Sequence, residues 1–135
     1  MSRSGYVEDP DHLVLYRRTV ENALRGKRGQ KFLRELVVAL EWLPKKRLIS
    51  GALVDETGEV CATGAVLAMR ERHDIGLIDP ENPKHVAAIC GIAPCMVAEI
   101  AFMNDEFYDY TAPGKIYEAM LCWAKKQLIK QKGAK

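Results

Sequence analysis

The sequence lacks the features that mark membrane, secreted and disulfide-linked proteins. No apolar run approaches the roughly 18 residues that a spanning helix requires, and the first ten residues, MSRSGYVEDP, contain no apolar segment of a secretory signal. The four cysteines, at positions 61, 90, 95 and 122, form no CxxC pair, as is typical of reduced thiols. We therefore expect a cytoplasmic protein with no membrane partner.

Signatures of catalysis and of cofactor binding are also missing. The sequence contains no P-loop, its acidic stretch after position 103 lacks EF-hand spacing, and no base can be placed beside a cysteine nucleophile. The nearest zinc-type cluster, His85, Cys90 and Cys95, has spacings of five that do not share one helix face. We expect no metal, no cofactor and no enzymatic activity.

The composition that is present is that of a folded domain, with 48% apolar residues and a net charge of only +2 over 135 residues. Residues 1–8 have little to bury and are expected to form a flexible tail, which leaves 9–135 as a single globular domain. Apolar periodicity and cap-then-proline starts such as Asn82-Pro83 predict a mainly α fold with about six helices and one small β-hairpin. The expected helices are 9–25, 30–43, 64–72 after a Thr63 cap, 82–90, 94–104 and 113–130, and the expected hairpin spans 48–62.

Residues 83–103 have the spacing of a helix-turn-helix pair. Ala87 precedes the turn glycine, Gly91, by four residues, and Val97 and Ile100 supply inward contacts of the second helix. A DNA-reading helix needs Arg, Lys, Asn or Gln on its outward face. The outward candidates here include no basic residue; they are Ala93, Pro94, Cys95, Ala98, Glu99 and Phe102. We therefore favour a structural helical hairpin, with a DNA-reading pair or a docking helix as alternatives.

The second helix of this pair is apolar on nearly every side, so it is either encircled by the domain or displayed to a partner. If it is displayed, Cys95, Glu99 and Phe102 form a row at spacings of four and three. Such a row is a docking or self-association surface with Phe102 as its aromatic anchor and a polar rim. The candidate partner-binding residues are Cys95, Glu99, Phe102, Met103, Asp105 and Glu106.

Positive charge is concentrated around the string RGKRGQ, residues 25–30, which we expect to form a loop between the first two helices. Its glycines permit close backbone approach to a phosphate, and its arginines supply bidentate donors. A solvated loop is the simpler alternative. The candidate contacts to nucleic acid or to an acidic protein surface are Arg25, Lys27, Arg28, Lys31 and Arg34.

Several strings resemble a family of small proteins encoded by tailed phages and prophages. The matching strings are SRSGY at 2–6, RGKRGQKFLREL at 25–36, PKKRLISGAL at 44–53, GEVCATGAV at 58–66, GIAPCMVAEI at 91–100 and NDE at 104–106. The chain departs from this family at Lys45, where an acid is frequent, and in a shorter stretch before the last helix. The resemblance implies a virus-carried gene expressed in a bacterial cytoplasm, and it implies no activity and no catalytic residues.

Two functions fit these observations. The first is a non-enzymatic binding protein that modulates host or phage machinery through protein–protein contact or self-association. The alternative is a nucleic-acid-binding accessory or regulatory protein that uses the helix-turn-helix-like pair and the basic loop. Binding measured across salt separates the two, because phosphate contacts weaken steeply as salt rises.

Overall fold

Six α-helices and short connections make up the part of the chain that the computed structural model describes, residues 10–105 and 113–129. The prediction of a mainly α fold with about six helices is confirmed for these residues, whereas the expected 1–8 tail lies outside them. A short 3-10 turn, Ile75–Leu77, follows the third helix. In chain order, the helices are α1 Pro10–Arg25, α2 Lys27–Trp42, α3 Ala62–Met69, α4 Pro83–Cys90, α5 Pro94–Asp105 and α6 Pro113–Gln127.

A single residue, Gly26, separates α1 from α2, so the predicted loop over residues 25–30 is wrong. Gly26 is the N-cap of α2, with extended backbone at φ −69° and ψ 166°. Gly29 lies inside α2, where an added Cβ would lie 2.0 Å from the carbonyl oxygen of Ala23 in α1. The second glycine of the string therefore allows two helices to approach closely and forms no part of a turn.

Gln30, where the sequence pattern placed the start of the second helix, connects the ends of three helices. Its side-chain amide donates to the carbonyl oxygens of Leu24 at 2.8 Å and Gln127 at 2.9 Å. Its side-chain oxygen accepts from the N–H of Ile129 at 2.9 Å. Because the last carbonyls of a helix have no partner within that helix, Gln30 satisfies the ends of α1 and α6 from the first turn of α2.

The predicted hairpin over residues 48–62 is wrong, because its turn forms while its strands do not. One antiparallel bridge pairs Val54 with Val60, and the Asp55 carboxylate accepts three hydrogen bonds within the turn. The chain then enters α3 immediately after Cys61, and Gly64 packs so closely on the preceding segment that a Cβ would lie 2.0 Å from a backbone oxygen. Helix α3 thus begins at Ala62, two residues earlier than predicted and on the last residue of the predicted hairpin.

The predicted Thr63 cap of α3 is also wrong. Cys61 is the N-cap, and its thiol sulfur accepts a hydrogen bond from the N–H of Gly64 at 3.4 Å. Thr63 lies inside the helix and is buried. A sulfur atom, which is a weak acceptor, thus occupies the position in which a hydroxyl or carboxylate is usual.

The hairpin of α4 and α5 follows the sequence signals closely. The Asn82 side chain caps α4 by accepting from the N–H of His85 at 3.2 Å, and Gly91 ends it with a left-handed φ of 78°. The two helices bend by 105° at this break. Within the described residues no single helix is long and apolar enough to cross a membrane. Only α4 and α5 taken together meet this criterion, on length and composition alone.

The centre of the core is α5, which packs against α1, α3, α4 and α6. Its Met96 and Ile100 are almost completely buried. On the other side, α2 packs against α1, α3 and α6, and the hydroxyl of Tyr117 in α6 donates to the carbonyl oxygen of Leu40 at 2.8 Å. Two amphipathic helices, α1 and α2, thus cover a core built around one apolar helix.

Candidate functional site

The predicted docking row on α5 is mostly enclosed. Glu99 and Met103 are buried, at 6% exposure each, and Cys95 and Phe102 are half-buried. The Cys95 thiol lies 3.9 Å from the carbonyl oxygen of Thr19 in α1, to which it donates, and burial raises its pKa. Of the two alternatives for this helix, the encircled one agrees with the burial of its side chains.

Two of the six outward positions expected of a DNA-reading helix are inside the protein. Ala98 is 4% exposed and Glu99 is 6% exposed, so a base edge would have no access to them. The α4–α5 pair therefore breaks at Gly91 and presents no solvent-exposed recognition surface at these two positions.

The acidic string after α5 has a structural role in the part that is described. Asn104, 3% exposed, accepts from the N–H of Ala62 at 3.1 Å and donates to the carbonyl oxygen of Ile49 at 2.9 Å. Asp105 accepts from the N–H of Gly51 at 3.1 Å. These contacts fasten the irregular segment before α3 to the end of α5, so Asp105 is engaged within the fold, while Glu106 lies outside the described residues.

The five predicted basic contacts, in contrast, are all brought together and exposed. Arg25 ends α1, and the other four follow on the first two turns of α2, directly after the Gly26 break. Side chains three and four residues apart on a helix share one side, so Lys27, Lys31 and Arg34 form a row. We call this surface the basic face; its members are Arg25, Lys27, Arg28, Lys31 and Arg34.

The two carboxylates of α2 form their ion pairs with bases outside the basic face, and Glu35 also interacts electrostatically with Lys31. Glu35 accepts two hydrogen bonds from Arg70 of α3, at 2.9 and 2.8 Å, and these bonds hold its pKa below the ordinary value. Glu41 lies 3.6 Å from the ammonium of Lys125 in α6. Among residues 15–105 and 114–129, whose side chains the structure describes, no carboxylate lies within ion-pair distance of a member of the basic face.

From the sequence, no functional role was assigned to Trp42, near the end of the second helix. The side chain is 78% exposed, at the last turn of α2. Lys31 and Trp42 are eleven residues apart, which is about three helical turns, so both lie on the same side of α2 with the 43% exposed Val38 between them. Helical periodicity counted from Lys31 could have placed Trp42 on the exposed side.

A cleft of about 400 Å³ opens beside the basic face, between α2, α3 and α4. Arg28, Lys31 and the Glu35–Arg70 pair line it, and Cys90 lies at its inner wall. Burial raises the pKa of Cys90 to about 11, so its thiol is protonated at neutral pH and is no nucleophile there. Over the described ranges no group of three or more His, Cys, Asp or Glu side chains is arranged to hold a metal ion.

Comparisons of the chain with protein-family models, with curated proteins and with solved structures gave no match. The resemblance to small phage proteins therefore stays a prediction. The observations that bear on function are the enclosure of α5 and the exposure of the basic face.

Proposed function

We propose that this chain is a non-enzymatic binding protein that contacts nucleic acid through the basic face. The observation that carries the proposal is the exposure of five basic side chains without a paired carboxylate among the described residues. Each ammonium or guanidinium placed on a phosphate releases condensed counterions, which is the main source of sequence-independent affinity.

The first turn of α2 supports this proposal. It contains Lys27 and Arg28 and no acid. The helix dipole favours acids at an N-terminus and disfavours bases there, at a typical cost of some tenths of a kcal/mol each. Departures from local preference of this kind are expected at functional surfaces, and an anion bound at this turn would reverse the cost.

The sequence favoured protein–protein contact and offered two surfaces for nucleic acid, the helix-turn-helix-like pair and the basic string, of which this proposal keeps the second. A helix-turn-helix interaction would use the outward side of α5, where Ala98 and Glu99 are buried. The protein-docking hypothesis would use the row on the same helix. We therefore assign the contact to the basic face, and a partner protein with an acidic surface is the alternative that the experiment below separates. A role on phage or host machinery in a bacterial cytoplasm is part of the proposal.

The test is the salt dependence of DNA and RNA binding, measured by fluorescence anisotropy for the parent and for two triple variants. The first variant replaces Lys27, Lys31 and Arg34 with glutamine. The matched control removes the same charge outside the basic face, by replacing Arg47, Lys84 and Lys115 with glutamine. All six side chains are exposed, so folding should be preserved in both variants.

We expect the magnitude of the negative slope of log K against log salt to decrease by roughly two to three in the basic-face variant. This is about one for each phosphate that the protein no longer neutralises. The control should keep the slope of the parent. Absence of salt-dependent binding in the parent, or an equal decrease in the control variant, contradicts the proposal. Binding to polyglutamate but not to either nucleic acid would identify an acidic protein surface as the partner and would contradict it as well.

A further inference from the structure

We propose that the exposed side of α2 prefers single-stranded nucleic acid, with the backbone on Lys27, Lys31 and Arg34 and one base stacked on Trp42. This inference rests on the proposed function, and it adds the kind of strand that is bound. Its failure and the failure of nucleic-acid binding itself have different signatures in the experiment below.

The exposed indole of Trp42 is the starting observation. An aromatic side chain of this size usually contributes to stability by burial, yet Trp42 is 78% exposed, while the other tryptophan, Trp123, is 8% exposed in the core. Leu43 and Pro44 follow directly, so the indole projects from the end of the helix rather than from its middle.

The geometry of α2 aligns the charges and the ring. At a rise of about 1.5 Å per residue, Arg34 and Trp42 are separated by about 12 Å along the axis, and Lys27 and Trp42 by about 22 Å. The row runs from charge at the N-terminal end to an aromatic surface at the C-terminal end. This combination of a basic track with an exposed aromatic ring is how proteins bind single strands without reading their sequence.

Neighbouring charges leave the row positive. Glu41, the carboxylate nearest to Trp42 along the chain, pairs with Lys125, and Glu35 pairs with Arg70. Lys46 is turned toward the protein, where its ammonium donates to the carbonyl oxygen of Glu41 at 2.6 Å and lies 5.8 Å from the centre of the Tyr117 ring. The charge complementarity is therefore to a polyanion that lies along α2.

A single strand fits this arrangement better than a duplex. In a duplex the base faces are covered by their neighbours, and only phosphates and groove edges are accessible. An unpaired base offers an open π face, and stacking on an aromatic side chain is worth about 1–3 kcal/mol per base. Trp42 therefore adds affinity for a single strand and little for a duplex, whereas the basic residues contribute to both.

The experiment compares Trp42→Ala and Trp42→Leu with the parent, using a labelled thymidine oligonucleotide of about 16 nucleotides and a duplex of the same length. We expect Trp42→Ala to bind the single strand roughly 5- to 150-fold more weakly, the fold-change that corresponds to the stacking of one base. Duplex affinity and the salt slope should not change. Trp42→Leu, which keeps an apolar side chain without a π face, should behave as Trp42→Ala.

Two further measurements complete the test. The intrinsic fluorescence of Trp42 should be quenched by the single strand, with the buried Trp123 as the unaffected reference. Leu77→Ala, which removes an 89% exposed apolar side chain elsewhere, is the control and should bind as the parent does.

Single-strand binding by Trp42→Ala at parental affinity overturns this inference. Retention of affinity by Trp42→Leu overturns it too, because apolar contact and not stacking would then be responsible. In either case, a salt slope that falls in the basic-face variant and not in its matched control would leave the proposed function supported. A parent that binds neither strand overturns both.

Discussion

Replacing Gln30 with leucine should destabilise the protein by about 1.5–4.5 kcal/mol. The substitution keeps a side chain of similar volume, so it opens little cavity, and it removes hydrogen bonds to three backbone groups, those of Leu24, Gln127 and Ile129. Each such bond contributes about 0.5–1.5 kcal/mol net. For a chain of this length the loss corresponds to a decrease in Tm of roughly 5 to 20 °C, measured by circular dichroism.

Gln30→Glu provides a sharper form of the same experiment. At neutral pH a carboxylate would face two carbonyl oxygens, so the folded protein raises the pKa of the introduced acid. A group with a raised folded-state pKa contributes stability below its unfolded pKa and loses it as pH rises through the folded value. The deficit of Gln30→Glu relative to the parent should therefore be smaller near pH 4 than at pH 7.

The matched control is Gln127→Ala. Gln127 is half-buried, and the group that Gln30 contacts is its backbone carbonyl, which the substitution retains. We expect a change below about 0.5 kcal/mol. A Tm of Gln30→Leu equal to that of Gln127→Ala, or a deficit of Gln30→Glu that does not depend on pH, would refute the assignment of Gln30 as the connection between the helix ends.

Three further predictions concern positions where the fold depends on one residue. Gly29→Ala should unfold the protein or prevent its expression, since the new Cβ would lie 2.0 Å from a backbone oxygen. Gly26→Ala is the control and should remain folded, because its Cβ would lie no closer than 3.4 Å to a neighbouring atom. Equal Tm values for the two variants would contradict the close approach of α1 and α2. Asn104→Leu should lower the free energy of unfolding, measured with urea, by about 2–4 kcal/mol, because it leaves the N–H of Ala62 and the carbonyl of Ile49 without their partner. A decrease below about 0.5 kcal/mol would be inconsistent with that role. Glu35→Gln should lower the free energy of unfolding by about 1 kcal/mol, but only above roughly pH 4.3, the ordinary pKa of glutamate. A carboxylate whose pKa is lowered in the folded protein stabilises it above the unfolded pKa, and this effect is lost as pH falls through the folded value. A difference in stability from the parent that persists at pH 3 would exclude the ion pair with Arg70 as its cause.

The helices that the sequence predicted correctly begin or end on local signals. Asn82 followed by Pro83, and Gly91 at the end of α4, act within one turn of the backbone, so no tertiary information is needed to place them. The errors fall where a residue type has a second, tertiary use. Gly29 has the appearance of a turn residue and serves a helix contact, and the identity of Cys61 as a cap depends on burial that the sequence does not reveal.

The candidate site was predicted in its residues but not in its electrostatics. The concentration of basic residues in and after RGKRGQ identifies Lys27, Lys31 and Arg34, and the structure shows that they are exposed. Among the described residues these three side chains form no ion pair with a carboxylate, because Glu35 pairs instead with Arg70, 35 positions away in the chain. Contacts of such separation cannot be derived from local pattern, and the same is true of the enclosure of α5 by four other helices.

The pairing of the two α2 carboxylates has a consequence for how the charge arises. The segment 27–42 contains four bases and two acids, so a peptide of this sequence has a net charge of +2. In the folded protein Arg70 and Lys125 form ion pairs with these two acids, so the acids offset the four bases of the segment less than they do in the peptide. The full basic field therefore exists only after α3 and α6 have packed onto α2. A polyanion bound to it must stabilise the native state by mass action, and the excised helix should be a poor substitute for the whole domain.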